Sequence, residues 1–194
     1  MKPVSIEPST TALVLIDLQY GIVGMNIFPN NSGEVVSRAS RLAQAFRSVN
    51  APVILVNVAN MPDGLDALLP ITDSSPPPVT ARPANWETVV EELGAENTDI
   101  RITKRQWGAF YGTELDLQLR RRGIKTLVLA GISTNVGVES TARDAFERGY
   151  HQIFVEDAMG SPSEEAHLNS LSSTFPRLGR IRSTEDVIDA LGSP

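Results

Sequence analysis

Cysteine is absent from this 194-residue chain. Disulfides, thiolate metal sites and a thiol nucleophile are thereby excluded. Histidine is scarce, with only His151 and His167 available for proton transfer or metal ligation. Positive charge is in deficit: 17 Lys and Arg stand against 23 Asp and Glu, a net charge of −6 with no basic block. Such a balance gives a nucleic-acid partner no electrostatic support. No apolar run approaches transmembrane length, so no membrane association is expected. Met1-Lys2-Pro3-Val4-Ser5 lacks the apolar core of a signal peptide, which makes a cytoplasmic location the default expectation.

What is present is the make-up of an ordinary globular protein, 41% hydrophobic and 21% charged. Residues 1–194 read as one domain with a sizeable core and no internal repeat. Six strand-like runs are predicted. They are Thr11–Asp17, Pro52–Val58, Asp99–Lys104, Thr126–Ala130, Gln152–Asp157 and Ile181–Arg182. Helical patterns separate them. Ser32 can cap a helix to about Val49, with Val35, Val36, Ala39, Leu42, Ala43 and Phe46 facing inward. Glu87–Leu93 reads as a short helix. Thr113 caps Glu114–Arg122, Ser163 opens a helix with acids in its first turn, and Ser183 or Thr184 caps the last one. The alternation predicts a three-layer α/β/α fold around a doubly wound, mainly parallel six-stranded sheet. Ala59–Trp86, with Pro76-Pro77-Pro78, is too long for a plain connection and reads as a lid, a binding loop or an oligomer contact.

The stretch Gly131-Ile132-Ser133-Thr134-Asn135-Val136-Gly137-Val138-Glu139-Ser140-Thr141 follows the Thr126–Ala130 run and turns into a helix that Gly149 ends. Val136, Ala142, Ala145 and Phe146 can share its inner face. Such a strand-to-helix turn lies at the carboxyl edge of an open α/β sheet, where ligands bind. Asp17 and Lys104 also follow strand-like runs. Taken alone, an Asp there is more often a turn former and a Lys a solvated edge charge. Gln19 could orient Asp17 or only solvate its loop. Trp107, Phe110 and Tyr111 could be core, but aromatics beside Lys104 more plausibly wall a pocket. Ser133, Thr134 and Asn135 are ordinary helix-start residues. A hydroxyl nucleophile would need a base. His151 is expected at the amino end of its strand and His167 on a solvated helix face, so no Ser-His-acid triad is expected.

The same stretch resembles the signature of the isochorismatase-like hydrolases, a branch of the cysteine hydrolases. Their pattern runs Gly-apolar-small-Thr-Asn/Asp-x-Cys-Val-Glu-Ser-Thr-x-Arg-x-Ala, then Gly-Tyr. Every element is matched except the cysteine, whose place Gly137 takes. Asp17-x-Gln19, Lys104, Ala109-Phe110-x-Gly112-Thr113-x-Leu115 and Glu156-Asp157-Ala158 extend the likeness over roughly residues 10–185. The resemblance implies that Asp17 and Lys104 are catalytic and meet at Gly137. It implies a small-molecule substrate held by residues drawn from Gln19, Trp107, Phe110, Tyr111, Ile132, Ser133, Thr134, Val136 and Val138. It further implies a non-proline cis peptide at Ile132-Ser133 and a homo-oligomer, dimer or tetramer. No cofactor is expected. No metal is expected either, because Asn57-Val58-Ala59-Asn60 lacks the Asp-x-His of the metal-binding nicotinamidases.

Without the cysteine no thioester can form. The isochorismatases that act on isochorismate resemble this chain in having glycine there. They imply vinyl-ether hydrolysis with Asp17 as general acid, Lys104 as an electrostatic partner, and backbone N–H groups of Gly137 and Val138 toward an oxyanion or water. The alternatives are a catalytically silent ligand-binding homologue, or an amide or ester hydrolase that uses activated water.

Overall fold

A computed structural model describes residues 4–74 and 82–191. The elements, in chain order, begin with β1 (Thr11–Ile16), α1 (Tyr20–Val23), β2 (Phe28–Pro29), α2 (Ser32–Ser48), β3 (Val53–Val58) and β4 (Ile100–Lys104). α3 (Leu115–Arg121), β5 (Thr126–Ile132), a π-helical turn at Thr134–Val138, α4 (Glu139–Glu147) and β6 (His151–Ser161) follow. The chain then forms α5 (Glu164–Asn169), a second π turn (Ser170–Thr174), α6 (Phe175–Leu178), β7 (Arg180–Arg182) and α7 (Thr184–Leu191). Pro76-Pro77-Pro78 lies outside the described residues.

The sheet order is β2-β6-β5-β1-β3-β4, with β7 also paired to β6. The six expected strands are all parallel. A seventh, β2, runs antiparallel at the edge, pairing Phe28 with Ser161 and Pro29 with Gly160. Two residues with a proline carry no strand pattern, and proline is tolerated there because an edge position needs no N–H.

β1 is buried along its whole length, as a central parallel strand must be. Leu13 and Leu15 pack with α2 and α7 on one face, and Ala12, Val14 and Ile16 with α3, α4 and α6 on the other. Each fully buried leucine or isoleucine contributes about 1.5–3 kcal/mol by leaving water. Phe154 stacks on Phe175 with ring centroids 4.1 Å apart, seating α6 on the sheet.

Local expectations needed three corrections. Asn31, not Ser32, caps α2, in a reciprocal capping box with Glu34. Only Glu91–Leu93 of the expected Glu87–Leu93 helix coils, as a 3-10 turn. Glu87 and Thr88 close a turn and Val89 bridges to Gln19 instead, with Tyr20 N–H donating to Thr88 O and Val90 N–H to Leu18 O. Phe146 is 52% exposed, while α4 buries Thr141, Ala142 and Ala145. At roughly 100° per residue Phe146 stands about 100° round α4 from Ala145 and about 140° from Thr141, at the flank of the face those residues bury.

Candidate active site

β5, β1, β3 and β4 lie side by side, and their carboxyl ends open onto one cleft of about 450 Å³. Asp17 is the first residue beyond β1, and its N–H donates to Val56 O. Its φ is 54°, a left-handed conformation uncommon for any residue but glycine, though aspartate tolerates it better than most. That turn swings the carboxylate over the sheet edge. Lys104 closes β4 and reaches across the end of β3. Its Nζ donates to Asp17 Oδ2 and to Trp107 O, each at 2.7 Å. The side chains are buried, Lys104 at 2% and Asp17 at 6% residue exposure.

The two oxygens of Asp17 differ. Oδ2 is held by Lys104, whereas Oδ1 is buried and has no hydrogen-bond partner among the described residues. Burial pushes the Asp17 carboxyl up to about 6, against the opposing pull of the Lys104 charge and hydrogen bond. A carboxyl at that value can hold or release a proton near neutrality.

Gly131 brings the signature turn to this pair. A Cβ on it would collide with Ile16 O, and its φ of 122° is open only to glycine. The Ile132-Ser133 peptide is cis, as the resemblance implied. Gly137 then faces the pair directly. A Cβ there would sit 3.1 Å from Asp17 Oδ2 and 3.4 Å from Lys104 Nζ. The Ile16 side chain borders the same spot, with Cγ2 3.0 Å from that position.

Of the expected pocket residues, Asp17, Lys104, Trp107, Ile132, Ser133, Val136 and Gly137 line the cleft. Five others do not. Gln19 neither orients Asp17 nor faces solvent. Its amide clamps the end of β3 to the loop beyond, accepting from Val58 N–H and donating to Val58 O and Trp86 O. Phe110 is core, stacked on Tyr150, and Tyr111 is 77% exposed outside the cleft. Val138 is buried in the core below, and its N–H donates to Ser133 O, so it is not free for an oxyanion. Thr134 is fully buried, with Oγ1 2.8 Å from His167 Nδ1. His167 is thus not solvated: α5 turns it inward, and burial lowers its pKa despite the nearby Glu164.

The long loop contributes what sequence reasoning did not name. Ala67, Leu68, Leu69 and Arg82 line the cleft, with Ile22, Met25 and Pro162 adding apolar wall. Arg105, next to Lys104, sits at the rim with Nε 2.6 Å from Asp66 Oδ2. The adjacency of Arg105 to Lys104 was the one signal available for it. A larger cavity of about 630 Å³ lies between α1 and α2. Its lining includes Arg41 and Glu92 but no buried acid–base pair such as Asp17–Lys104.

Residues 11–186 match the family model described as the isochorismatase domain. The chain is 50% identical over 190 residues to the uncharacterized isochorismatase family protein YwoC of Bacillus subtilis (strain 168), covering 97% of this chain and 98% of that one. It is 30% identical over 218 residues to the ureidoacrylate amidohydrolase RutB of Methylobacterium radiotolerans, covering 100% of this chain and 84% of the relative. A solved isochorismatase family protein from Burkholderia thailandensis superposes with a TM-score of 0.93 at 46% identity, over 97% of this chain and 98% of that one. By sequence along its length and by fold, this chain belongs to the isochorismatase family.

Proposed function

We propose that this protein is a small-molecule hydrolase that acts on a carboxylate-bearing substrate without a covalent enzyme intermediate, with Asp17 moving the proton. The observation that carries this reading is the Asp17 carboxyl itself. One oxygen is fixed by Lys104, the other is buried and open, and Gly137 offers no nucleophile beside it. Gly137 is read as the position of the family's cysteine. The cations Arg82 and Arg105 in the cleft lining, with Lys104 at its floor, suit a substrate carboxylate, and the leucines and Trp107 suit an apolar ring or chain.

The reaction that fits is vinyl-ether hydrolysis of the isochorismate type. A protonated Asp17 gives its proton to the terminal methylene carbon. The resulting oxocarbenium ion takes up water, the water's proton returns to Asp17, and the hemiketal collapses to pyruvate and a ring alcohol. A substrate carboxylate beside Lys104 offsets the ammonium charge that holds Asp17 ionised, so binding itself would favour the acid form.

A second reading is favoured by the ureidoacrylate amidohydrolase relative. Ionised Asp17 would act as general base, drawing a proton from water that attacks an amide or ureido carbon, with ammonia released. The two are separated by product. Purified protein is given isochorismate with pyruvate detection, and ureidoacrylate and simple amides with ammonia detection. Pyruvate supports the first reading and ammonia the second. Ligand-induced thermal stabilisation without either product would leave a binding protein and end the hydrolase reading.

A further inference from the structure

The segment 161–167 touches the site from two sides. Pro162 lines the cleft, while Ser161 and His167, at the two ends of the segment, bond to the signature turn. Ser161 Oγ donates to Asn135 Oδ1 at 2.7 Å and accepts from Asn135 N–H at 3.4 Å. His167 Nδ1 lies 2.8 Å from Thr134 Oγ1, with both residues buried. Ser163 sets the helix that carries His167: its Oγ accepts from Ala166 N–H and its carbonyl from His167 N–H. Just past that helix, Ser170 Oγ donates to Glu139 Oε2 at 2.6 Å. The signature turn and the start of α4 are therefore gripped by polar bonds from one neighbouring segment.

An imidazole taken out of water loses its solvent hydrogen bonds, and an apolar side chain would fill the same space without that cost. What the apolar side chain lacks is direction. Thr134 opens the π turn that ends at Val138, directly after Ser133, which lines the cleft. A bond to it sets the position of that backbone rather than only filling space around it.

We infer that His167 is a positioning residue, which through its bond to Thr134 holds the Ser133–Gly137 turn in place against the Asp17–Lys104 pair. The alternative of a threonine nucleophile with a histidine base fails on geometry. Thr134 is fully buried and absent from the cleft lining, so its hydroxyl does not meet substrate.

Three variants test this: Thr134→Val, His167→Leu and His167→Asn. Asparagine keeps a hydrogen-bonding atom near the Nδ1 position, and leucine does not. In Thr134→Val and His167→Leu, amide hydrogen exchange at Asn135–Gly137 should rise about tenfold or more while the core amides of α2 stay protected. His167→Asn should restore protection. Where the wild type hydrolyses a substrate, kcat should fall by roughly 10- to 100-fold with KM within about twofold, again restored in His167→Asn. Unchanged exchange in Thr134→Val, or His167→Asn behaving as His167→Leu, overturns the inference. If the wild-type protein hydrolyses nothing, the proposed function fails, and the exchange comparison still decides the role of His167.

Discussion

Lys104 Nζ lies 2.7 Å from Asp17 Oδ2 although 87 residues separate them, and the second oxygen of that carboxylate is left buried and open. A buried ion pair satisfied on one side only is a poor device for stability, because desolvation offsets much of the attraction. It is a good device for holding a carboxyl in one orientation while leaving it able to exchange a proton.

Asp17→Asn keeps the shape and removes the transferable proton. Turnover should fall by about 10²–10⁴-fold, while carboxylate ligands still bind, since Arg82, Arg105 and Lys104 remain. Steady-state product assays paired with calorimetric titration measure both. Wild-type kcat in the Asp17→Asn protein would remove Asp17 from the chemistry.

Stability should depend on pH through Asp17. Its folded pKa is raised from 3.8 to about 6, so the protonated form is the one favoured in the folded state. The sign follows: the contribution is fully present below pH 4 and is lost as pH rises through 6. It amounts to about 3 kcal/mol across that window. Urea unfolding at pH 4 to 7 should show this slope in the wild type, superimposed on other titrations, and lose that component in Asp17→Asn.

Lys104→Met removes the charge that opposes burial. The Asp17 pKa should rise further, moving the kinetic profile toward higher pH. Breaking the pair should also destabilise the fold by about 3–5 kcal/mol at pH 7, where Asp17 is otherwise ionised, and by less at pH 4. Chemical denaturation at both pH values checks the difference, and equal losses would count against coupling of the two groups.

Gly137→Ala places a methyl 3.0 Å from Ile16 Cγ2 and 3.1 Å from Asp17 Oδ2. The acid must shift by a few tenths of an ångström, at a cost of about 1–3 kcal/mol in stability and a clear loss of kcat. Gly137→Cys carries the same crowding and adds a thiol beside the Asp17–Lys104 pair. Burst release from an activated ester should appear in that variant alone if Gly137 stands where the family's cysteine would.

Arg105→Ala and Arg82→Ala should raise KM for a carboxylate substrate about tenfold or more each with kcat little changed, as expected when a charged hydrogen bond to bound substrate is removed. A neutral ester of the same substrate should be insensitive to both. Loss of kcat instead would move these arginines from anchoring into the reaction.

Much of this was legible in the residues. Uninterrupted apolar runs such as Ala12–Ile16 have only one comfortable place, inside a parallel sheet covered on both faces. Asp17 stands directly at the end of such a run, Lys104 at the end of the alternating strand Ile100–Lys104, and the signature turn carries its own residue order. The errors lay where the local pattern is silent. Phe110 and Trp107 sit three residues apart in one loop, yet one is core and the other is 65% exposed at the cleft. His167 looks polar on its helix, and only the packing of α5 against the signature turn makes it a buried partner of Thr134.

Residue type and periodicity thus place the six parallel strands and exclude a thiol here, because those depend on covalent chemistry and short-range pattern; they do not place β2, nor the ends of β5 and β6, which run on to Ile132 and Ser161. Folding alone decided that Asp17, Lys104 and Gly137 meet, that one carboxylate oxygen is left open, and that the Asp17 carboxyl is pushed up to about 6. Distance and burial belong to the packed chain, and a proton's affinity for a carboxyl follows from both.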